Sequence, residues 1–372
     1  MAARRQTLDP PILPGYTYVR PLGSGGFADV FLYQQNMPRR VVAVKVLLPS
    51  IDGDAAARAL AGEADVMAGL SAHPAILTVY EASVAPDGRP YLVMEHCPKS
   101  MASRYRSEQI PIEEVLSIGV KISAAVESAH QVGMLHRDIK PSNILVTTFG
   151  HPVLSDFGVA TASVAGDEDI IAMSPPWSAP EVVERRSSGT VATEVWALAA
   201  TVYTLAAGQA PFDIPGGRRS AEQLRARIVR AKYVPTGRDD AHPSLESALE
   251  GGLKRLPGDR YGSAREFGEA LQQVQREMGI AVTPLELPGS DWTPVPEADD
   301  AAPGAKRTTV PVESSRQRRP DADSPSRRTR TTTHSEATSR GTPVGRKIMI
   351  GSIILGAALV GAVVTVVLVV GG

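Results

Sequence analysis

At Pro98 the spacing of apolar residues changes, and the change bounds what this chain can fold into. Before it, short alternating runs read as strands: Tyr18 to Leu22, Asp29 to Tyr33, the valine-rich Val41 to Leu47, Ile76 to Ser83 and Arg89 to Glu95. One helical stretch interrupts them, from Asp54 to Leu70, with Ala57, Leu60, Ala61, Ala64 and Met67 at helical spacings. Beyond Pro98 the period turns helical over Ile112 to Val132, Thr193 to Ala207, Ser220 to Ala231, Ser244 to Leu253 and Ala264 to Met278. The pattern predicts an α+β region over 13–278, with a small β-rich lobe followed by a larger helical one. Two such lobes leave a cleft between them, a usual place for a ligand.

The remainder of the chain has another character. From 279 to 346 the composition shifts to Pro, Thr, Ser, Arg and Ala, with Trp292 a rare large side chain. Such a stretch buries too little apolar surface to offset its chain entropy, so a disordered linker is expected. From Ile348 to Val370 runs an uncharged apolar segment of about 23 residues, roughly 34 Å long as a helix and enough to cross a bilayer. The expected transmembrane helix is 347–370. A buried core helix is the competing reading, but no folded domain adjoins the segment to bury it on all sides. Arg346 and Lys347 precede the run, which places the N-terminal region in the cytoplasm by the positive-inside rule. Only Gly371 and Gly372 follow, so the expectation is a cell-membrane tail anchor with negligible extracellular part. Ser352 with Gly356, and Ala357 with Gly361, form small-xxx-small pairs that suit a homodimer through this helix, although such residues are common in membrane helices generally.

Charge and cysteine usage exclude some classes. Lys plus Arg number 39 against 40 for Asp plus Glu, so the net charge of -1 gives no reason to propose nucleic acid as a partner. The sum hides a strongly basic stretch from Lys306 to Lys347. Cys97 is the only cysteine, which rules out an internal disulfide or a cysteine-cluster zinc site. Arg4 and Arg5 are followed by no apolar stretch, so no secretory signal is read.

Chemistry concentrates in three motifs. The first is Gly23-Ser24-Gly25-Gly26-Phe27-Ala28-Asp29-Val30, a turn whose glycines let backbone N–H groups approach phosphate oxygens. Alone it is weak, and Ala28 stands where a third glycine is usual. The second is Lys45 on the apolar strand Val42-Ala43-Val44-Lys45, where Val44 and Val46 should point to the opposite face and Lys45 toward the glycine-rich turn. The helical stretch that follows offers Glu63 as its ion-pair partner. The third is His136-Arg137-Asp138-Ile139-Lys140-Pro141-Ser142-Asn143, followed by Asp156-Phe157-Gly158. Phosphoryl transfer needs metal ions on the triphosphate, a carboxylate to orient the attacking hydroxyl and a cation near the transferred group. Asp138, Asn143 and Asp156, with Lys140, supply those groups within about twenty residues.

With all three motifs in sequence, the chain resembles bacterial members of the eukaryotic-like serine/threonine protein kinase family over 13–278. The resemblance implies the bilobal protein kinase fold, ATP as phosphoryl donor and Mg²⁺ as metal, with Mn²⁺ as a substitute. It implies that Lys45 holds the α- and β-phosphates and pairs with Glu63. Asp138 becomes the catalytic base and Lys140 contacts the γ-phosphate, while Asn143 and Asp156 bind the metal. Besides the glycine-rich turn from Gly23 to Val30, the ATP site takes in Leu22, Ala43 and Leu145 around adenine, Met94 as gatekeeper, and Glu95 to Cys97 as hinge. Lys140, two residues after Asp138, follows the pattern for Ser or Thr acceptors rather than Tyr. Ala179-Pro180-Glu181 matches the end of an activation segment, and Arg260 matches the arginine expected to pair with Glu181.

Departures from the family pattern are as informative. Glu194 stands where the family usually has Asp, a carboxylate that anchors the backbone of the His136–Arg137 turn; an extra methylene there is expected to shift the catalytic loop. Arg137 before Asp138 implies a need for negative charge on the activation segment. That segment carries Gly166-Asp167-Glu168-Asp169, with no Ser or Thr between Ser163 and Ser174. Either the acidic cluster replaces a phosphate, or it is a solvated loop tip; both readings stand. Ser174 falls where the family has a substrate-binding Thr. Linker threonines such as Thr308, Thr309 and Thr331 to Thr333 offer autophosphorylation sites for domains that read phosphothreonine, against a plainer reading as a tether held to anionic lipid. The rivals to an active enzyme are a catalytically silent scaffold and a small-molecule phosphotransferase; Lys45, Asp138 and Asp156 argue against the first, Ala179-Pro180-Glu181 against the second.

Overall fold

Strand alternation builds the first layer. β1 (Tyr16–Ser24), β2 (Ala28–Asn36), β3 (Arg39–Leu47), β4 (Val79–Val84) and β5 (Pro90–Glu95) form an antiparallel sheet in the order β1-β2-β3-β5-β4. Val30 lies opposite Lys45, Lys45 opposite Leu92 and Ala43 opposite Met94, so these side chains share one face. The other face carries Phe31, Tyr33, Val42, Val44 and Val46, which bury together with Leu13, Tyr91 and Val93. The expected orientation of Val44 and Val46 away from Lys45 is therefore present. The segment before β1 crosses this outer face, where Tyr33 Oη donates to the Pro11 carbonyl at 2.6 Å.

This computed structural model describes residues 7–26, 28–48, 64, 67–157, 174–213 and 220–289. All fall in the first of two compact units, Met1–Ala302 and Pro303–Gly372. Phe27, Glu63, Gly158, the acidic stretch Gly166 to Asp169, the basic linker threonines and the apolar run Ile348 to Val370 lie outside the described residues. Among those described, no helix is long and apolar enough to cross a membrane.

Seven helices are described after the sheet: α1 (Met101–Ser107), α2 (Ile112–Gln131), α3 (Pro180–Val183), α4 (Val191–Ala207), α5 (Ala221–Arg230), α6 (Ser244–Gly252) and α7 (Ala264–Glu277). α4 is the hub. A capping box between Thr190 and Thr193 starts it. Its Val195, Trp196, Leu198, Val202 and Tyr203 are all buried, as expected of a helix enclosed by its neighbours. α2, α6 and α7 pack around it. α2 opens with Glu113 and Glu114 and ends with His130, charges and dipoles that complement its macrodipole.

Between the lobes sits a second sheet of β6 (Lys99–Ser100), β7 (Ile144–Val146) and β8 (Pro152–Leu154). These strands, with α1 and α3, are too short to register as a period in the sequence. Ile76, read as the start of a strand, instead bridges singly to Leu154. Residues 279–289 correct the linker expectation. Thr283 is buried and Leu285 packs against the helical core. A few anchored residues order this stretch, although its average composition is that of a linker.

Candidate active site

The cleft between the sheet and the helices holds a cavity of about 520 Å³. Gly23, Ser24, Gly25, Gly26, Ala28, Val30 and Lys45 line it from the sheet side, and His136, Asp138, Lys140, Ser142, Asn143 and Asp156 from the helical side. The turn between β1 and β2 closes through Gly25 N–H donating to the Ala28 carbonyl at 2.8 Å. Behind it, Ala43, Leu77, Met94 and Val153 form an apolar cluster with Leu22, Val30, Cys97 and Leu145. All of the side chains expected around a flat base are thus brought together. Leu77 and Val153 join them without any local sequence signal. Glu95 N–H donates to the Thr78 carbonyl at 2.9 Å, fixing the connection next to this cluster. Burial, then the neighbouring Glu95 charge, pushes the Cys97 thiol up to about 12.

Asp29 does not belong to the cleft. It shares the outer face of β2 with Phe31 and Tyr33, opposite Val46, and is almost fully buried there. Its Oδ2 accepts from Leu8 N–H at 3.0 Å. A side chain next to Val30 on a strand must point the other way, so the Asp29 carboxylate does not line the cleft, although Asp29 belongs to the turn expected to bind the nucleotide.

On β3, Lys45 Nζ reaches Asp156 Oδ1 at 2.6 Å. Burial by itself would raise the Asp156 carboxyl, but the Lys45 ammonium, joined by His136 and Lys140, holds the group below the ordinary 3.8. Asp156 and Arg137 both adopt left-handed backbone, at φ 62° and 66°, a conformation costing about 1–3 kcal/mol each for such residues. For Asp156 the ion pair is the compensation. For Arg137 it is Glu194, whose Oε1 accepts the Arg137 N–H at 2.5 Å while Oε2 meets His130 Nε2 at 2.7 Å. Glu194 thus spans two donors, one on the catalytic loop and one on α2.

Asp138 is the centre of a tight set. Its Oδ2 accepts from Lys140 Nζ at 2.5 Å and its Oδ1 from Ser174 Oγ at 2.8 Å. Lys140 Nζ also donates to Ser174 Oγ at 2.7 Å. Asn143 Nδ2 donates to the Asp138 carbonyl at 2.8 Å and to Oδ2 at 3.1 Å. The loop is held from beneath. His136 Nδ1 accepts Asp138 N–H at 3.2 Å and its Nε2–H donates to the Ser155 carbonyl at 2.9 Å, a neutral tautomer fixed by both partners. Its ring packs on Phe157, with centroids 4.6 Å apart. Ser155 N–H in turn donates to the Asn143 carbonyl at 2.8 Å, tying the two loops together. His130 and Ser155 are supports that local motif reading missed, since His130 finds Glu194 only 64 positions further on.

Asn143 turns its amide nitrogen to Asp138, which among the described residues leaves Oδ1 with one weak contact from Ser142 Oγ at 3.3 Å. Among the described residues, Asp156 Oδ2 likewise meets only Ser155 Oγ, at 3.4 Å. Two hard oxygen donors lining one cavity fit a magnesium-type cation. Glu63 lies outside the described residues, and its expected pairing with Lys45 lies outside them too. Further out, Arg260 grips Glu181 through two parallel bonds of 2.7 and 2.9 Å, the pairing expected from sequence, and both groups are buried.

Comparison with known proteins follows this geometry closely. Residues 16–272 match the family described as the protein kinase domain. Serine/threonine-protein kinase PknK of Mycobacterium tuberculosis is 39% identical over 312 residues, which is 80% of this chain and 27% of that protein. Serine/threonine-protein kinase PknI of the same species is 30% identical over 293 residues, 76% of this chain and 45% of PknI. The crystal structure of the Mycobacterium tuberculosis PknI kinase domain superposes with a TM-score of 0.52 at 29% identity, covering 72% of this chain and 100% of that one. The chain therefore spans less than half the length of these curated relatives.

Proposed function

The chain belongs to the protein kinase family, and from that premise we propose that it transfers the γ-phosphoryl group of ATP to serine or threonine hydroxyls of proteins. The observation that carries this reading is the contact of Ser174 Oγ with Asp138 Oδ1 at 2.8 Å, with Lys140 Nζ on both. A hydroxyl already donates to Asp138 in the way an acceptor hydroxyl must. Asp138 orients that acceptor and takes its proton as the new P–O bond forms and the bond from the γ-phosphorus to the bridging oxygen breaks, releasing ADP. Lys140 places a cation beside the oxygens of the transferred group, where charge is spread in the transition state. Lys45, steadied by Asp156, faces the phosphates beneath the glycine-rich turn, and the cluster around Ala43 and Met94 takes the base. Asn143 and Asp156 would hold Mg²⁺ or Mn²⁺, which supplies neutralisation of the triphosphate charge.

Labelled ATP tests the reading. The full chain should label itself or a general protein acceptor, and phosphoamino-acid analysis should find phosphoserine or phosphothreonine. Asp138→Asn should lower the rate by about 10²–10⁴-fold while ATP still binds. Labelling that does not depend on Asp138 would favour a scaffold that binds partners without transferring phosphate.

The same reading places the enzyme in signalling at the cytoplasmic face of the cell membrane, through the apolar run Ile348 to Val370 behind its basic flank. Autophosphorylation of linker threonines such as Thr308 and Thr331 would recruit phosphothreonine-reading domains. Its support is their basic, threonine-rich context.

A further inference from the structure

The residues after α7 do more than leave the domain. At Gly279, with φ of 66°, the chain turns back, and Ile280 N–H donates to the Gln275 carbonyl at 3.1 Å. Gln275 is almost wholly buried, and its amide is spent on one residue: Oε1 accepts Thr283 N–H and Nε2 donates to Thr283 Oγ1, each at 2.9 Å. Gln272 Nε2 adds a bond to the Thr283 carbonyl at 2.8 Å. Two residues on, Leu285 enters a notch beside Gly268. A Cβ on that glycine would lie 2.6 Å from Leu285 Cδ1, so the notch exists only because the residue is glycine.

The returning segment then meets the corner that leads from the helical residues 67–70 into β4. His73 Nε2–H donates to the Glu286 carbonyl at 2.8 Å, and its Nδ1 accepts Ala75 N–H at 3.0 Å. From Ala75 the bonds continue inward. Leu154 N–H donates to the Ala75 carbonyl and Leu77 N–H to the Leu154 carbonyl, each at 2.9 Å. Leu154 ends β8, two residues before Asp156, and Leu77 stands in the apolar cluster at the cleft.

We infer that residues 279–288 form a strap that holds this corner against the helical lobe, and that His73 is a positioning residue through which the strap sets the strand leading to Asp156. Three separate attachments act together: the Gln275–Thr283 pair, the Leu285 plug and the His73–Glu286 bond. A mere cap on α7 would need only the first. The strap also makes the start of the linker part of the catalytic unit, so that events in the linker reach the cleft. For its activity readout the inference rests on the kinase reading above; its structural readout does not.

The test uses the full chain with three variants: Leu285→Asp to expel the plug, Leu285→Ala as a milder form, and His73→Asn, which keeps an acceptor near Ala75 N–H but falls short of Glu286. Amide exchange is followed by mass spectrometry in peptides covering 74–77 and 152–157, with β1–β3 as internal control. Each variant should speed exchange at those two sites by about tenfold with β1–β3 unchanged, and should change kcat and the KM for ATP together. The double variant His73→Asn with Leu285→Ala should be no worse than the stronger single one, because both cut one connection. Faster exchange confined to 279–288 overturns the inference and leaves the segment as a cap. Should Leu285→Asp unfold the lobe, Leu285→Ala and His73→Asn decide alone. An inactive wild type would count against the kinase reading, while the exchange result still judges the strap.

Discussion

Glu194 is one methylene longer than the aspartate expected at its position, and the extra reach is used. One carboxylate oxygen supports the left-handed backbone at Arg137, and the other meets His130, whose side chain is 6% exposed. The longer side chain serves as a brace between α2 and the catalytic loop. Glu194→Gln keeps the size but offers a single acceptor, so its amide N–H₂ must face either the Arg137 N–H or His130 Nε2. The expected cost is about 1–3 kcal/mol of stability, read from urea unfolding, with a fall in kcat and little change in the KM for ATP. A variant with wild-type unfolding and turnover would remove the brace from the account. Asp156 carries the other prediction at this scale. Its carboxyl is depressed below 3.8, so the stability it contributes is fully present above that ordinary value and is lost as pH falls through the depressed one. The stability difference between wild type and Asp156→Asn should therefore stay constant from neutral pH down to about 5 and shrink only in stronger acid. A difference that fades between pH 7 and 5 would mean that Lys45 does not control this group.

The elements differ in how far their sequences announce them, and the reason lies in the range of the contacts. β2 and β3 alternate in a way that fixes both faces, and the same parity could have set Asp29 with Phe31 and Tyr33 rather than with Val30. The loop from His136 to Asn143 was readable because its bonds are local, Asn143 to Asp138 and His136 to Asp138. His130, Leu77 and Val153 were not, since each finds its role through partners distant in the chain. The strap was hidden for a different reason: composition averages over a window, whereas Thr283 and Leu285 are single anchors. Helix packing shows the same dependence on single residues. On α6, a Cβ at Gly252 would sit 2.5 Å from Ala199 Cβ on α4, a side chain with no freedom to move aside. Gly252→Ala should therefore lower stability by about 1–3 kcal/mol in denaturant unfolding. Pairing it with Ala199→Gly should recover part of that loss by removing the opposing methyl. An equal loss in the single and double variants would place the cost in the backbone of α6 rather than in the contact with α4.

At the scale of the whole molecule, the sequence from Lys306 onward is built of different residues from the catalytic lobes. The catalytic lobes are held by buried apolar clusters and by long-range pairs such as Arg260 with Glu181, none of which needs a membrane. The run from Ile348 to Val370 has no charge to carry into water and no polar face to present to it. Under the membrane-anchor proposal, a helix in the bilayer would satisfy its backbone groups internally and place its side chains in hydrocarbon. The basic residues from Lys306 to Lys347 add attraction to an anionic leaflet, at about 1 kcal/mol for each residue near the surface. These two terms respond differently to treatment, and that separates a spanning anchor from a surface tether. The full chain should stay with membranes through both high salt and alkaline carbonate. A chain ending at Arg346 should bind only vesicles containing anionic lipid and should be released as salt screens the basic segment. Release of the full chain by carbonate would reduce Ile348 to Val370 to a peripheral contact, and the siting of Asp138 at a membrane face would then rest on charge alone.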